Sequence, residues 1–389
     1  MIPPTQKIYL DYHATTPVDR RVANLVYQYM TEEFGNASST DHEYGDRAEA
    51  AIKQAANHVV TLINATPQEI IWTSGATESI NLAIQGSLTA NPANPHRIAL
   101  LPLEHKAVLD TCQALEKRGW AELVYLNIDS QGHLDLNHLE QVCQNGLALL
   151  CVMAANNEIG NIYPIQTIGQ IAQRHNIPFL CDASQAVGKI PLDFEWGITY
   201  LAISAHKLYG PKGVGALIVR RGYQLEPLIF GGGHQQGMRS GTLNVPGIAG
   251  LGEACRLRQL EMVEDEQAIA LRRDRLQQML LQQIPNLVIN GDATNRLAGN
   301  LHISIPGIPN SAIISRIRHR LAISTGSACS SGVEAPSHVL QALKLPEAVI
   351  EGALRIGIGK FTTDEAIFEA AMILIDEIQK TTRAMNPEK

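Results

Sequence analysis

A chain of 389 residues, 45% hydrophobic and 18% charged, is too long for one ordinary core and reads as a soluble globular protein of two domains. Its formal net charge of −7 argues against a basic nucleic-acid-binding face, and no apolar run has the length needed to span a bilayer. The opening MIPPTQKIYLDYHATTP has no charged stretch followed by an apolar one, so no secretory signal is expected and the cytoplasm is the expected compartment.

In chain order, apolar runs of strand length appear as EIIWTS, RIALLP, ELVYLN, ALLCVM, PFLCD, YLAIS and GALIV. Most are apolar throughout rather than alternating, which marks strands buried on both faces in a mostly parallel sheet. Segments between them, such as ESINLAIQGSL and TIGQIAQRH, carry apolar residues at helical spacing. These alternations predict a large α/β domain over 17–256 with a mostly parallel seven-stranded sheet. From Pro246 a long helical pattern runs through LRQLEMVEDEQAIALRRDRLQQMLLQQI. The runs NLVING, NLHISI and LAIST follow, with helices at SAIISRIRH and TDEAIFEAAMILIDEIQK. This predicts a smaller α+β domain over 257–389, joined by the N-terminal segment 1–16.

Ligands of open α/β sheets bind beyond the carboxyl ends of the strands. Five of the predicted strands lead there into chemistry-bearing residues: Gly75-Ala76-Thr77-Glu78, Glu104-His105-Lys106, Asn156-Asn157-Glu158, Asp182-Ala183-Ser184-Gln185 and Ser204-Ala205-His206-Lys207. Each has an ordinary reading as a helix cap, a turn or a surface group. Together they supply a helix N-terminus suited to an anion, an imidazole, an amide pair, an acid costly to bury without a cation, and a lysine whose burial would make its amine reactive. Pyridoxal phosphate needs this combination: a lysine for its aldehyde, an acid for its pyridinium nitrogen and a helix N-terminus for its phosphate. Lys212 in GPKGVG competes with Lys207, but it follows Pro211 inside a turn beyond the strand end.

Six cysteines, at 112, 143, 151, 181, 255 and 329, include no CxxC and no zinc spacing. Cys151 and Cys181 lie in apolar runs and read as small buried hydrophobes. Cys329, in STGSACSSG, lies among glycines and serines with no apolar periodicity to shelter it.

The motifs LDYHATTPVD, TSGATESINLAI, EHKAVLDT, NNEIGNIYPI, CDASQAVGK, SAHKLYGPKGVGAL, GGGHQQGMRSGTLNVP and GSACSSG, in that order, resemble those of the cysteine desulfurases of the NifS/IscS group, within the class V aminotransferases of the type I pyridoxal-phosphate fold. The resemblance runs from about residue 8 to 360. It implies pyridoxal 5'-phosphate as cofactor, Lys207 as the lysine that carries it, Asp182 as the pyridinium partner and Gln185 as the contact of the ring hydroxyl. His105 resembles the histidine stacked on the ring and used in proton transfer. Ala76, Thr77, Ser204 and His206 resemble phosphate contacts, and Thr242 the residue that reaches the partner subunit's phosphate, which implies a homodimer. Asn157 and Arg355 resemble the contacts of the substrate carboxylate.

By the same resemblance, Cys329 is the nucleophile that takes sulfur from L-cysteine, leaving L-alanine and carrying a persulfide to acceptor proteins such as an iron–sulfur scaffold. No permanent metal site is implied, Cys329 being at most a transient iron–sulfur ligand. A thiol that must reach both an enclosed cofactor and an outside acceptor needs a mobile loop, which glycines and serines supply. The alternatives weighed are another class V pyridoxal enzyme, such as a cystine or selenocysteine lyase or an aminotransferase, and a scaffold-type protein without cofactor chemistry. The first has no use for Cys329, and the second none for Lys207, Asp182 and His105 together.

Overall fold

The computed structural model describes residues 7–89, 96–325 and 336–385. Seven strands, β2 (Ile70–Thr73), β3 (His96–Leu100), β4 (Ala121–Tyr125), β5 (Leu149–Cys151), β6 (Phe179–Asp182), β7 (Tyr200–Ser204) and β8 (Gly215–Val219), form one sheet in the order β2-β8-β7-β6-β5-β3-β4. The ladders β7–β6–β5–β3–β4 are parallel. β8 runs antiparallel to both β2 and β7. Because β8 alone is reversed, the carboxyl ends of β2, β3, β5, β6 and β7 lie along the same sheet edge.

The continuous apolar runs have the predicted cause. Every residue of β5, β6, β7 and β8 is buried, and successive side chains enter different cores on the two faces. Leu149, Cys151, Leu180 and Ala202 pack with Ile80 and Ile84 of the helix Ala76–Thr89 and with Val108 and Cys112 of the helix Lys106–Lys117. Leu150, Cys181, Leu201 and Ile203 pack instead with Ile168 of the helix Ile165–Arg174 and with Ile248, Leu251 and Cys255. Cys112, Cys143, Cys151, Cys181 and Cys255 are all buried free thiols, as a packing role requires.

The remaining strands are β1 (Ile8–Tyr9), β9 (Val288–Ile289), β10 (Asn300–Ser304), β11 (Leu321–Ala322) and β12 (Ala353–Gly357). β12, β10 and β9 make an antiparallel three-stranded sheet, and β1 pairs with β11 in parallel. Their core, containing Leu301, Ile303, Leu354 and Ile356, also takes in Ile8 and Leu10. The helix Val245–Gln283 continues unbroken through residues 256 and 257. Its first half packs on the large sheet through Ile248 and Leu251, and its second half on the small one through Ile269, Leu276 and Leu280.

The N-terminal segment binds the two parts together. After β1 it bridges Asp11 to Gly357, then donates Thr16 N to the His206 carbonyl at 3.0 Å and Asp19 N to the Tyr209 carbonyl at 3.0 Å. So close a passage requires glycine on β12: a Cβ on Gly357 would lie 2.8 Å from Tyr12 N and 2.9 Å from His13 N. Such spacings are too short for any side chain.

Candidate active site

The five strand ends open into one cleft of about 1020 Å³, lined by residues of both sheets and of the N-terminal segment. Lys207 ends the short 3-10 turn Ala205–Lys207 that follows β7. Its Nζ donates to the carbonyls of His13 at 2.6 Å and Ala14 at 2.7 Å. Burial, with Lys189 and Arg355 nearby, lowers its pKa from 10.5 to about 7, so the amine and its ammonium are close to balance at neutral pH. Lys212 also lines the cleft.

Asp182, at the end of β6, is 6% exposed. One carboxylate oxygen accepts from Ser184 N at 2.9 Å and from Ser184 Oγ at 2.5 Å, which anchors the group and leaves the second oxygen for a cationic partner. His105 caps the helix Lys106–Lys117, its Nδ1 accepting from Ala107 N at 3.1 Å. That bond leaves Nε2 to carry the proton of the neutral ring. The capping role and the place in the cleft wall therefore coexist.

At the opposite end the helix Ala76–Thr89 begins, and its first N–H groups have no intrahelical acceptor. A Cβ on Gly75 would stand 3.8 Å from Ser204 Oγ, so the helix start and the end of β7 are neighbours in the cleft wall. His206 completes this corner, its Nδ1 lying 3.1 Å from Thr15 Oγ1. Burial and three nearby lysines lower its pKa to about 4, so it serves as a neutral hydrogen-bonding group. Glu78, in the helix's first turn, would repel an anion, but Arg239 Nε holds it at 2.8 Å. Donors, a neutral imidazole and a neutralised acid make an anion cradle, and it lies in the same cleft as the lysine and the carboxylate. The residues present fit pyridoxal phosphate.

On the side of the small sheet, Arg355 of β12 is 6% exposed. Nη2 pairs with Asp11 at 3.0 Å and Nη1 donates to the Asn157 carbonyl at 3.1 Å. Nε is buried without a partner. The fork is thus fixed while keeping a donor free for a carboxylate. Gln185 is buried and already engaged: Nε2 donates to the His13 carbonyl at 2.9 Å and Oε1 accepts from Lys189 at 3.0 Å. Thr242 is exposed and is not among the residues lining the cleft. Cys329 lies outside the described residues. The structure therefore brings together Ala76, Thr77, His105, Asn157, Asp182, Gln185, Ser204, His206, Lys207 and Arg355.

Sequence reasoning passed over several groups. Asp11 and His13 arrive from the N-terminal segment, and Lys189 and Arg239 act from just behind the wall. Glu158, buried beside Asn157, accepts from Ser337 Oγ at 2.5 Å. Desolvation raises its pKa to about 7. The only local sign of Asp11, His13, Lys189 and Arg239 was that they stand inside quoted motifs. None of these four follows one of the seven apolar runs directly, so the strand-end rule did not select them, whereas Glu158 stood in the strand-end group Asn156-Asn157-Glu158 without being given a role. Among the described residues no group of His, Cys, Asp and Glu has a metal-binding arrangement, and no helix is long and apolar enough to cross a membrane.

The profile of the family Aminotransferase class-V matches residues 8–369. The chain is 42% identical to the "Cysteine desulfurase IscS" of Anaeromyxobacter sp. (strain Fw109-5) over 383 residues, covering 98% of this chain and 94% of that one. Among solved structures it is similar to a "NIFS-LIKE PROTEIN" with a TM-score of 0.90 and 32% identity, covering 96% of this chain and all of that one (100%). It is also similar to "SspA in complex with cysteine" with a TM-score of 0.81 and 33% identity, covering 92% of this chain and 100% of that one.

Proposed function

This chain belongs to the class-V aminotransferase family and is a pyridoxal-phosphate-dependent cysteine desulfurase, and we propose that it works through Lys207, Asp182, His105, Arg355 and Cys329. The observation that carries the assignment of roles is Lys207: a buried amine near neutrality, held by two carbonyls, in one cleft with a buried carboxylate, an anion cradle and an arginine fork.

When bound, the cofactor supplies an aldehyde and an electron-withdrawing ring. Lys207 would hold the aldehyde, Asp182 the ring nitrogen and Gln185 the ring hydroxyl, with His105 against the ring. The helix start at Ala76 and Thr77, together with Ser204 and His206, would hold the phosphate. Arg355 and Asn157 orient the substrate carboxylate, which fixes where the α-carbon and the sulfur stand. Lys207, close to balance between amine and ammonium, takes the α-proton and returns one.

Sulfur transfer needs a thiolate, and Cys329 supplies it. The carbon–sulfur bond of L-cysteine breaks, a sulfur–sulfur bond forms on Cys329, and the carbon that lost sulfur gains hydrogen. L-cysteine and one thiol thus become L-alanine and one persulfide, with both sulfurs oxidised and the carbon reduced. His105, with its proton on Nε2 in the neutral form, is the nearby group suited to exchange a proton with the sulfur centre.

Around this reaction we propose a homodimer in which Thr242, exposed and away from its own cleft, reaches the partner's phosphate site. We further propose a cytoplasmic location, and acceptor thiols on proteins such as an iron–sulfur scaffold. The division into a large part over 17–256 and a small part over 257–389 with 1–16 would let the small part shift on the cleft about the shared long helix. The deciding experiment is Cys329→Ser. It should bind pyridoxal phosphate and L-cysteine, but alanine release should collapse and no labelled persulfide should be recovered. Alanine formation at the wild-type rate would favour a lyase that needs no protein thiol.

A further inference from the structure

His13 enters the cleft wall with one ring nitrogen engaged and the other bare. The engaged one is settled by Lys189. An ammonium only donates, so Lys189 Nζ, 3.0 Å from Gln185 Oε1, identifies that atom as the amide oxygen. The amide nitrogen then donates to the His13 carbonyl at 2.9 Å. Facing the same oxygen at 3.3 Å, His13 Nδ1 must donate as well. A neutral imidazole with its proton on Nδ1 leaves Nε2 as a lone pair. Nε2 is buried and has no partner, and the residue is 3% exposed. A buried acceptor left empty is costly, so a ligand donor placed there is rewarded.

We propose that His13 is a substrate-contact residue whose Nε2 accepts a hydrogen bond from the α-amino group of the bound amino acid. The inference rests on the desulfurase reading. An amino acid such as cysteine brings two donor groups, the amine and the thiol, and the amine is one carbon away from the carboxylate that Arg355 takes. His13 lies close to both neighbours of that position. Its carbonyl accepts from Lys207 Nζ at 2.6 Å, and its ring meets β12 two residues after Arg355, where a Cβ on Gly357 would lie 3.0 Å from His13 Cδ2. Burial and the positive charges of Lys189, Arg355 and Lys207 hold its pKa well below 6.5. The ring therefore orients the amine without taking its proton, and Lys207 remains the proton carrier. Lys189 is the positioning residue behind it, since it fixes the Gln185 amide and so the tautomer.

The test uses holoenzyme whose cofactor has been fixed on Lys207 by borohydride reduction, so that a ligand amine stays free, with L-alanine, the reaction product that keeps both amine and carboxylate, and with propanoate, which lacks the amine. His13→Phe keeps the ring volume and removes the acceptor. Its affinity for L-alanine should fall about tenfold, the usual worth of a charge-assisted bond, while its affinity for propanoate stays at the wild-type value. Neutron diffraction of the wild-type complex should show a deuteron on His13 Nδ1, none on Nε2, and the alanine nitrogen within hydrogen-bond distance of Nε2. A deuteron on Nε2, or equal L-alanine affinity in wild type and variant, overturns the proposal and leaves the desulfurase reading standing. A wild-type holoenzyme that neither binds L-alanine nor forms it from cysteine overturns both.

Discussion

Replacing Lys207 by methionine should stabilise the cofactor-free protein at neutral pH, although it removes the residue proposed to carry the cofactor. The folded amine has its pKa at about 7 because burial and the charges of Lys189 and Arg355 oppose the ammonium, whereas an ordinary lysine titrates near 10.5. Since the folded value is the lower one, the unfolded chain binds more protons between the two, and stability rises with pH across that window. The penalty is fully present below about pH 7 and gone above 10.5. Its size follows from about 1.4 kcal/mol per pH unit across that gap, or about 5 kcal/mol.

Methionine also gives up the two bonds to the His13 and Ala14 carbonyls, worth about 1 kcal/mol each, which leaves a net gain of about 3 kcal/mol at pH 7. With about 2.1 cal/mol/K of unfolding entropy per residue, spread over 389 residues, that gain corresponds to a rise of about 4 °C in Tm. As pH rises the gain should shrink, cross zero at about pH 9, where the remaining penalty equals the lost bonds, and then change sign. Thermal unfolding of both apoproteins from pH 6.5 to 10 measures this. A variant that melts at or below the wild type at pH 7, or a difference that does not change with pH, would refute the strained-lysine argument.

Arg355→Lys loses the planar fork that meets Asp11 and Asn157 and is proposed to take the substrate carboxylate. KM for L-cysteine should rise about ten- to a hundredfold with the cofactor spectrum unchanged, and unaltered steady-state kinetics would move the carboxylate contact elsewhere. Arg239→Gln uncovers Glu78 at the anion cradle. Its Kd for pyridoxal phosphate, read by fluorescence, should rise several-fold and grow worse at low salt, whereas an unchanged Kd would separate Glu78 from the phosphate. Mixing Lys207→Ala with Thr242→Ala chains should restore activity in heterodimers, because one of the two clefts then has both residues intact. A fully active monomer in sedimentation would end the composite-site proposal.

Much of this site could be read from the chain alone, for an identifiable reason. Apolar runs such as ALLCVM and YLAIS are uniform because both faces of β5 and β7 are covered, and a parallel sheet gathers its carboxyl ends on one edge. Uniform burial and a strand-end polar residue are both local properties, so Thr77, His105, Asp182 and Lys207 could be picked out before any coordinates. The role of Arg355 came from resemblance, since nothing in its neighbourhood says what it will face. Cys329 stood out by its lack of shelter, and it lies outside the described residues.

How distant segments meet is settled in three dimensions. Asp11 pairs with Arg355 across 344 residues of sequence, and His13 reaches Lys207 across 194. Both contacts depend on β1 joining β11 and on the bare backbone at Gly357. Periodicity reports which residues are buried, but not against which partner. The protonation states that matter here, the near-neutral amine of Lys207 and the Nδ1–H form of His13, arise from such partners: Lys189, Gln185 and Arg355 act on groups far from them along the chain. Local patterning along the chain is enough to say which side chains stand at the sheet edge. Docking of the small sheet and the N-terminal segment sets the charge balance of Lys207, because electrostatic interactions depend on distance through space rather than along the chain.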